Sequence, residues 1–414
     1  ASNNTATFNI PGGAANGCDS IATLDLTIST SVNGTDIQTA CGSYTWIDGN
    51  TYTASNNTAT FNIPGGAANG CDSLVSLDLT INTSNSIVLS ETFDSATITG
   101  ANGHLGMRLI DEIHQDHKVL ALVRSESAAR SVREVYADSV SCLVVDYADA
   151  KALAAATQGV NVLIHLVGII KESRSNTFYQ AHEATSQALV DMLALAGGGD
   201  QSPDETGLQK IIYLSLLGID RNSTNPCLAS RAMAEEILAA APVSVSIIRV
   251  PMVLGEGDYA SGALAKRVRK GTCFVLRGDS LEQPIYAGDV VNAMISRISH
   301  DQVETEPRRT PDCVKLDLAG EESLTRKELT LRAAAITGTH PRVVSVPMFL
   351  MMALAWVLEK TSSNPPVTRA MLGVLDHDDD VDIQPALSEL GITLTSLDET
   401  LDKVLGTNDI KGTD

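Results

Sequence analysis

The sequence is poor in basic residues. Its 414 residues include 29 lysines and arginines against 50 aspartates and glutamates, which gives a formal net charge of −21. A nucleic-acid surface neutralises phosphates with basic side chains, so this balance argues against nucleic acid as a partner. A single basic cluster, typical of the polar face of a helix, is formed by Lys266, Arg267, Arg269 and Lys270.

Metal-ligand spacing and a membrane-spanning run are also missing. The cysteines after residue 100 are scattered without a Cys-x-x-Cys pair, which argues against the common zinc motifs and favours a reducing compartment. The apolar run 348–358 has eleven residues, whereas a membrane-spanning helix needs ~20. We expect this run to form a buried helix; a surface that docks on a membrane or on a partner protein is the alternative.

Residues 1–83 form a repeat array. The segment at 1–20 recurs unchanged at 54–73. Apolar and polar residues alternate between Pro-Gly-Gly turns, which predicts short antiparallel strands and an all-β class. Cys41 and Cys71 fall within one unit and could form a disulfide in an oxidising compartment. Because residue 1 falls inside a unit, we expect a fragment of an array.

The stretch SATITGANGHLGMRLIDEI at 95–113 predicts a strand, a glycine turn and a helix. Glycines let the backbone pass close to a diphosphate, and the first amides of the helix, unpaired within it, point at the anion. A glycine-capped turn without a ligand is the alternative. The candidate cofactor-binding residues here are Gly100, Asn102, Gly103, His104, Leu105 and Gly106.

A second strand at 118–123 ends in Arg124, roughly the ~20 residues past the turn at which a dinucleotide fold places its ribose-reading residue. An acid there would favour NAD, whereas arginine can pair with a 2′-phosphate, so NADP(H) is favoured over NAD(H). A solvated arginine at a strand end is the alternative. Strands and helices continue to alternate, which predicts an α/β class with a doubly wound parallel sheet.

The turn TGANGHLG resembles the Thr-Gly-x-x-Gly-x-x-Gly motif of extended and atypical short-chain dehydrogenases. The likeness is strongest to the atypical group that includes the nucleotide-binding accessory subunit of respiratory complex I, with NmrA-like redox sensors second. It implies a Rossmann NAD(P)-binding domain at 95–300 and a C-terminal cap or partner lobe at 301–414. Residues 1–83 resemble β-repeats of surface adhesion proteins of the Bacteroidetes, with 84–94 as the junction.

The resemblance also implies cofactor contacts beyond the turn. In the family, an acidic–hydrophobic pair contacts the adenine, and the residues after the central strand follow the ribose and diphosphate. A segment that begins here at Arg249 lies beside the nicotinamide. For Asp146, the N-cap of the next helix is the alternative. These candidates are Asp146, Tyr147, Leu166, Val167, Gly168, Val250 and Pro251.

The catalytic position departs from the family pattern. The family places a serine at the end of one strand and a Tyr-x-x-x-Lys pair on the next helix, where the lysine lowers the tyrosine pKa. Here Ser215 is present, but Cys227 and Arg231 hold the four-residue spacing. A thiol is a poor replacement for a tuned phenol, although Arg231 could still bind a ribose or phosphate. Ser215 and Arg231 are therefore the catalytic candidates, and both are candidate cofactor contacts.

These observations predict an NAD(P)(H)-binding protein that holds the nucleotide for a structural or redox-sensing role, or that has weak oxidoreductase or epimerase activity on a small molecule. An active NADP-dependent oxidoreductase or sugar-nucleotide epimerase or dehydratase is one alternative, and a cell-surface adhesion module is another. The partner is a small-molecule substrate or a protein that docks on 348–358, with peripheral membrane association as a further option. We expect a cytoplasmic location for 95–414 and an extracellular one for the repeats. No signal peptide precedes either part, so the join could be an artificial fusion; a natural secreted fusion is the alternative.

Overall fold

The computed structural model divides the chain into two units, Ala1–Ser86 and Ile87–Asp414. Each unit has its own hydrophobic core. The predicted junction at 84–94 and the predicted boundary at residue 300 fall largely outside the described residues. The described residues are 6–24, 32–41, 43–67, 69, 71–82, 95–196, 207–299, 312–362 and 364–406.

The first unit consists of small β-sheets. Its longest pair, β3 (Val32–Cys41) and β7 (Ser73–Asn82), is parallel, so the prediction of antiparallel strands is wrong for this pair. Trp46 packs with Leu77 and Leu79 in a small core. The remaining strands form antiparallel pairs with each other or with β7; they are β1 (Thr7–Ile10), β2 (Ser20–Thr23), β4 (Tyr44–Thr45), β5 (Thr51–Tyr52) and β6 (Thr60–Ile63).

The predicted disulfide between Cys41 and Cys71 is not formed, and Cys71 is a free thiol. Parallel pairing explains why. Cys41 lies opposite Asn82 at the far end of β7, whereas Cys71 precedes the first residue of that strand. Nine residues of strand, at ~3.3 Å each, separate the two ends, far beyond the ~6 Å between Cα atoms that a disulfide allows.

The second unit is built on a seven-stranded parallel sheet, which confirms the predicted α/β class. The strands lie in the order β10-β9-β8-β11-β12-β13-β18. Successive strands are added on one side of β8 up to β10 and on its other side from β11 onward, so the crevice at the carboxyl ends of β8 and β11 is the expected ligand site. The strands are β8 (Ser95–Thr99), β9 (Lys118–Val123), β10 (Ser141–Val144), β11 (Val162–His165), β12 (Lys210–Leu216), β13 (Ser244–Val250) and β18 (Cys313–Asp317).

Helices cover both faces of this sheet. On one face Leu109 and Met294 belong to a core shared with the strands, and on the other face Leu153 and Leu189 belong to a second core. Strands buried on both sides explain why β11 reads as an unbroken apolar run. The helices are α1 (His104–Ile113), α2 (Glu126–Tyr136), α3 (Ala150–Ala156), α4 (Thr185–Ala196), α5 (Pro226–Ala239) and α7 (Ala287–Ser299), with a 3-10 turn at Ala137–Ser139 and a π-helical turn at Tyr179–Ala184. Helix α6 (Tyr259–Val268) packs instead in the core of a smaller lobe.

The N-cap of α3 is not Asp146, which was the alternative role for that residue. Asp149 is the N-cap, and its carboxylate accepts hydrogen bonds from the Lys151 and Ala152 amides. Asp146 lies three residues earlier, exposed at the end of the loop after β10, where it accepts from the Ala148 amide. Its carboxylate therefore stays at the carboxyl edge of the sheet rather than at the helix terminus.

A smaller lobe follows and also contributes residues to the edge of the sheet. Helix α8 (Arg326–Ile336) begins in a capping box of Thr325 and Glu328. Gly391, with φ +63°, ends one of the last two helices and separates it from the other. The other elements are β14 (Val253–Leu254), β15 (Thr272–Leu276), β16 (Leu281–Glu282), β17 (Ile285–Tyr286), β19 (Leu324–Thr325), β20 (Arg342–Val346), α9 (Met348–Thr361), α10 (Arg369–Val374), α11 (Gln384–Leu390) and α12 (Leu397–Leu405).

The apolar run at 348–358 forms α9, but the prediction that this helix is buried is wrong. Only Ala355 is fully buried, while Phe349 is 69% exposed and Trp356 is 51% exposed. A short helix with a single buried position contributes little to the core of its own lobe. Among the described residues, none of the helices combines the length and apolar character that crossing a membrane requires.

Candidate functional site

The glycine turn connects β8 to α1 at the carboxyl edge of the sheet. Thr99 ends the strand, Gly100 has φ +72°, and Gly103 is the N-cap of α1 without any side-chain cap. Positive φ at Gly100 is unfavourable for any residue with a Cβ atom. Because no side chain caps α1, its first amides remain available to an anion, and the helix dipole favours one there.

Close backbone packing holds the turn in shape. A Cβ atom at Gly106 would lie 2.6 Å from the Ala101 carbonyl oxygen, and one at Gly100 would lie 3.3 Å from the Leu166 backbone. Both neighbours are main-chain atoms, so neither can rotate away as a side chain could. The glycines therefore allow α1 and β11 to approach the turn, which leaves space above its amides.

A cavity of about 920 Å³ lies over this turn. It is lined on one side by the turn and α1 and on the other by the segment after β13 and by α6. The volume falls within the ~300–1,000 Å³ of ordinary ligand sites. The predicted cofactor residues that line it are Gly100, Asn102, Gly103, His104, Leu105, Gly106 and Leu166.

Polar contacts between α1 and the segment after β13 border this cavity, and sequence reasoning did not find these contacts. Arg108 donates to the Glu256 carboxylate at 2.5 Å, and the Tyr286 hydroxyl donates to the same carboxylate at 2.8 Å. His104 Nε2 lies 2.9 Å from the Gly257 carbonyl oxygen. These contacts join the turn to a loop about 150 residues later in the chain, and no local pattern signals such pairs.

Tyr147 positions the turn from below. Its buried hydroxyl donates to the Leu122 carbonyl oxygen at 2.6 Å and accepts from the Gly100 amide at 2.9 Å. Burial raises the pKa of this phenol to about 12, so the hydroxyl stays protonated and able to donate. Tyr147 therefore supports the first glycine of the turn, and its contact with the adenine stays a prediction.

Arg124 and Asp146 lie exposed at the carboxyl edge, on loops that follow adjacent strands. Arg124 directly follows β9, and Asp146 follows β10, which pairs with β9. Arg124 forms no ion pair with any other described residue, so its guanidinium is available to a ligand. Neither residue lines the 920 Å³ cavity, which ends nearer the turn.

The comparisons with known proteins agree with this geometry. A family described as NAD(P)H-binding matches residues 100–272, a range that begins at the first glycine of the turn. Residues 100–272 are an NAD(P)-binding Rossmann domain. The NAD(P)-binding domain that the resemblance to short-chain dehydrogenases implies is confirmed, whereas the likeness of residues 1–83 to surface adhesins stays a prediction.

Two relatives extend beyond the Rossmann domain. Ceramide reductase from Caulobacter vibrioides is 26% identical over 254 residues, which is 60% of this chain and 73% of that protein. NADH dehydrogenase [ubiquinone] 1 alpha subcomplex subunit 9, mitochondrial, from Arabidopsis thaliana is 26% identical over 266 residues, which is 63% of this chain and 62% of that protein. The chain thus spans less than two thirds of the plant relative.

Solved structures share the fold at low identity. WbmG from Bordetella bronchiseptica in complex with NAD superposes with a TM-score of 0.55 at 18% identity, covering 77% of this chain and 95% of that chain. UDP-glucose 4-epimerase from Bifidobacterium longum in complex with NAD+ and UDP gives 0.54 at 15%, covering 75% and 97%. These likenesses show the Rossmann fold of the second unit.

Behind the Rossmann domain's cavity, the predicted catalytic residues are buried. Ser215 is buried, and its hydroxyl has no hydrogen-bond partner among the described residues. The Cys227 thiol is fully buried and donates to the Ile169 carbonyl oxygen at 3.5 Å. Burial raises the pKa of this thiol to about 11, so it remains protonated at neutral pH. The position that the family gives to a tyrosine therefore holds an inert thiol.

Arg231 faces the protein interior rather than the cavity. Its Nη1 donates to the Tyr213 hydroxyl and to the Leu214 carbonyl oxygen, each at 3.0 Å, while its Nε has no partner among the described residues. The guanidinium lies directly against Gly168, where a Cβ atom would collide with Nη2. Gly168 thus provides the space that lets a buried cation reach the end of β11.

Two buried histidines flank this cation. His165 lies 2.7 Å from the Thr99 hydroxyl and stacks on Tyr213, while His182 lies 2.7 Å from the Ser230 hydroxyl. Burial, with the positive charge of Arg231 as a second cause, lowers the pKa of each imidazole to about 3. Both rings are therefore neutral and hydrogen-bonded, as the apolar neighbours of His165 in the sequence indicate.

Residues after β13 line the 920 Å³ cavity, but the predicted contacts Val250 and Pro251 are not among them. Arg249 turns toward α5 and forms a bidentate pair with Glu235. Val250 is buried and Pro251 is half-buried, and neither lines the cavity. Val253, Gly255 and Glu256 line the cavity instead. The Rossmann domain therefore uses the end of this segment, beyond the strand itself.

A second cavity of about 900 Å³ lies between the loop after β12 and the helices α9 and α10. Asp220 and Asn225 line it from the Rossmann domain, and Met352, Arg369 and His377 line it from the smaller lobe. No predicted site residue borders it. It lies beside the loop that follows the strand of Ser215, and its lining is both polar and apolar.

Proposed function

We propose that this protein binds NADP(H) over the glycine turn and holds it for a structural or redox-sensing role, with at most weak oxidoreductase or epimerase activity. The observation that carries the proposal is the pair Cys227 and Arg231. A protonated, buried thiol and an inward-facing guanidinium stand where the family has a tyrosine and a lysine. Neither group is able to exchange a proton with a substrate near neutral pH.

The residues of the turn fit the nucleotide. The uncapped amides at the start of α1 would hold the diphosphate, and Gly106 keeps a Cβ atom out of that space. Leu166, on the cavity wall, would border the adjoining ribose. Arg124 would pair with a 2′-phosphate, since its guanidinium has no described partner. When bound, the nicotinamide supplies the capacity to carry a hydride.

Replacing Arg124 with glutamate is expected to weaken NADPH binding about tenfold or more, with a much smaller effect on NADH. Charge-assisted hydrogen bonds contribute ~1.5–3 kcal/mol, and only NADPH carries the phosphate that Arg124 would contact. Fluorescence titration of the full chain with both nucleotides measures the two affinities. Arg130→Glu on α2, also exposed, is the matched control and should leave both unchanged. Equal losses for NADPH and NADH in Arg124→Glu would overturn the 2′-phosphate assignment.

The rate of NADPH turnover distinguishes a structural or sensing role from an active enzyme. With NADPH bound, oxidation across a panel of carbonyl substrates is expected to stay at least about 100-fold below the ~10 s⁻¹ of a typical enzyme, because general acid catalysis is worth ~10²–10⁴-fold. Absorbance of NADPH under multiple-turnover conditions measures the rate. Substrate-dependent turnover at an ordinary enzymatic rate would contradict a structural or sensing role.

An active NADP-dependent oxidoreductase or epimerase is the second candidate. It is favoured by the unpartnered Ser215 hydroxyl and by the second cavity, and a relative carries the name of a reductase. In that case Ser215→Ala should abolish the turnover while leaving NADPH affinity intact.

We also propose a binding partner and a cellular location. A relative is a subunit of a larger complex, and a structural neighbour was solved with NAD+ and UDP, which supports either a protein partner or a small-molecule substrate. Free thiols at Cys142, Cys227, Cys273 and Cys313 support a reducing, cytoplasmic location for the second unit. The repeats keep their predicted role as part of an adhesion module.

A further inference from the structure

Helix α9 exposes an apolar face to solvent. It has 14 residues, and Glu359 shares one face with the most buried positions of the helix. Glu359 on that face accepts hydrogen bonds from the Arg369 backbone and side chain at 2.7 and 2.8 Å. Met352 on the same face lines the second cavity. These contacts hold the inner side of α9 to its lobe.

The outer face is apolar along its whole length. At ~100° per residue, the exposed positions fall on one side of the helix, spaced by three and four residues. No acidic residue lies among them, and Lys360 in the last turn is the single charge. An exposed apolar face of this length indicates an interaction surface. We define the α9 outer face as Phe349, Leu350, Ala353, Leu354, Trp356 and Val357, all exposed.

A basic surface belongs to the same lobe. Lys266, Arg267, Arg269 and Lys270 end α6, are exposed, and pair with no carboxylate among the described residues. The next strand, β15, carries the exposed Phe274 and pairs in parallel with β20, which runs directly into α9. Exposed Arg342 begins β20 opposite Thr272. Five basic residues, in a chain of net charge −21, therefore lie near the start of the β15–β20 pair. Helix α9, with its exposed aromatic side chains, follows the end of β20.

We infer that the α9 outer face docks on the surface of an anionic phospholipid bilayer. Phe, Trp and Leu on one helical face, with Lys and Arg nearby, are the composition of helices that lie in the membrane interface, where cations contact anionic headgroups. At ~1.5 Å per residue α9 is about 21 Å long, so it lies in the interface and does not cross it.

Tryptophan fluorescence tests the inference directly. The chain has two tryptophans: Trp356 on the outer face and Trp46, which is 4% exposed and donates to Asp36 in the first unit. Adding phosphatidylglycerol vesicles to the full chain should shift the emission to shorter wavelength, and the protein should float with the vesicles. Phosphatidylcholine vesicles should give a much smaller shift, and high salt should weaken binding. Trp356→Phe should remove the shift.

Substitutions test whether the α9 outer face is the surface that binds the vesicles. Phe349→Ser combined with Val357→Ser should reduce partitioning to phosphatidylglycerol vesicles at least about tenfold, because each loses apolar area that would enter the interface. Val135→Ser is the matched control, since Val135 is 60% exposed on α2 and should not matter. Lys266→Glu with Lys270→Glu should weaken binding to phosphatidylglycerol and leave the small phosphatidylcholine signal unchanged. NADPH affinity should stay at the wild-type value in all of these variants, which separates this test from the proposed function.

Three outcomes would overturn the inference. One is the absence of any shift or flotation with phosphatidylglycerol. Another is an equal loss of binding in the Val135→Ser control. The third is a shift that grows with protein concentration without vesicles and coincides with dimers in sedimentation, which would assign the α9 outer face to a second copy of the chain.

Discussion

Gly106→Ala is expected to weaken NADPH binding about 100-fold, the largest effect on ligand binding that the site predicts. The new Cβ atom would lie 2.6 Å from the Ala101 carbonyl oxygen, a main-chain atom that cannot rotate away. The turn would have to move away from α1, so the amides that hold the diphosphate would no longer converge. Displacement of about 1 Å at a binding constellation costs on the order of 10²-fold. Fluorescence titration with NADPH measures the loss.

Two further variants separate this effect from misfolding. Gly262→Ala, in the interior of α6, meets no atom within 4 Å, so it should bind normally and gain ~1 kcal/mol of helix stability. Asn102→Asp keeps the backbone of an exposed turn residue and adds a negative charge near the diphosphate, so we expect about tenfold weaker binding with an unchanged melting temperature. Wild-type affinity in a folded Gly106→Ala protein would mean that the turn does not hold the nucleotide.

Arg249→Met is expected to lower the free energy of unfolding by about 3 kcal/mol, the largest effect on stability. Arg249 donates to both oxygens of Glu235 at 2.7 and 2.9 Å, and the Glu235 side chain is almost fully buried. Removing one partner of a buried pair leaves an uncompensated charge, which costs ~3–5 kcal/mol. Lys315 Nζ, 3.3 Å from the same carboxylate, keeps part of the compensation, so we expect the lower end of the range. The shift of the urea midpoint, followed by circular dichroism, measures the change.

An exposed ion pair provides the comparison. Arg332 donates to Glu322 at 2.7 Å, but both side chains are well exposed, so Arg332→Met should cost only ~0–1 kcal/mol. Adding Glu235→Gln to Arg249→Met should recover part of the loss, since the buried charge is then gone. Equal midpoint shifts for Arg249→Met and Arg332→Met would show that burial of Glu235 does not determine the cost.

Several features of the fold follow from local patterns. The glycine turn at 100–106 and the alternation of strands and helices were predicted from residue type and spacing, and the structure has them. Such features depend on interactions between residues a few positions apart, where backbone conformation and side-chain type act directly.

Other features depend on partners that no local pattern specifies. The structure turns Arg231 toward Tyr213 and Arg249 toward Glu235, and it places the Tyr147 hydroxyl on the Gly100 amide. Each contact joins residues 14 to 47 positions apart. Composition identifies these side chains as polar, but it does not say whether they face a ligand or the interior.

The sequence by itself determined the Rossmann domain and its glycine turn, because glycine is the one residue that meets the steric demands at 100 and 106. The tertiary structure alone decided that Cys227 and Arg231 are buried and that α9 is exposed. An apolar run has the same composition whether its helix is covered or not. Burial depends on the position of the other elements, and that position is set by packing across the whole chain.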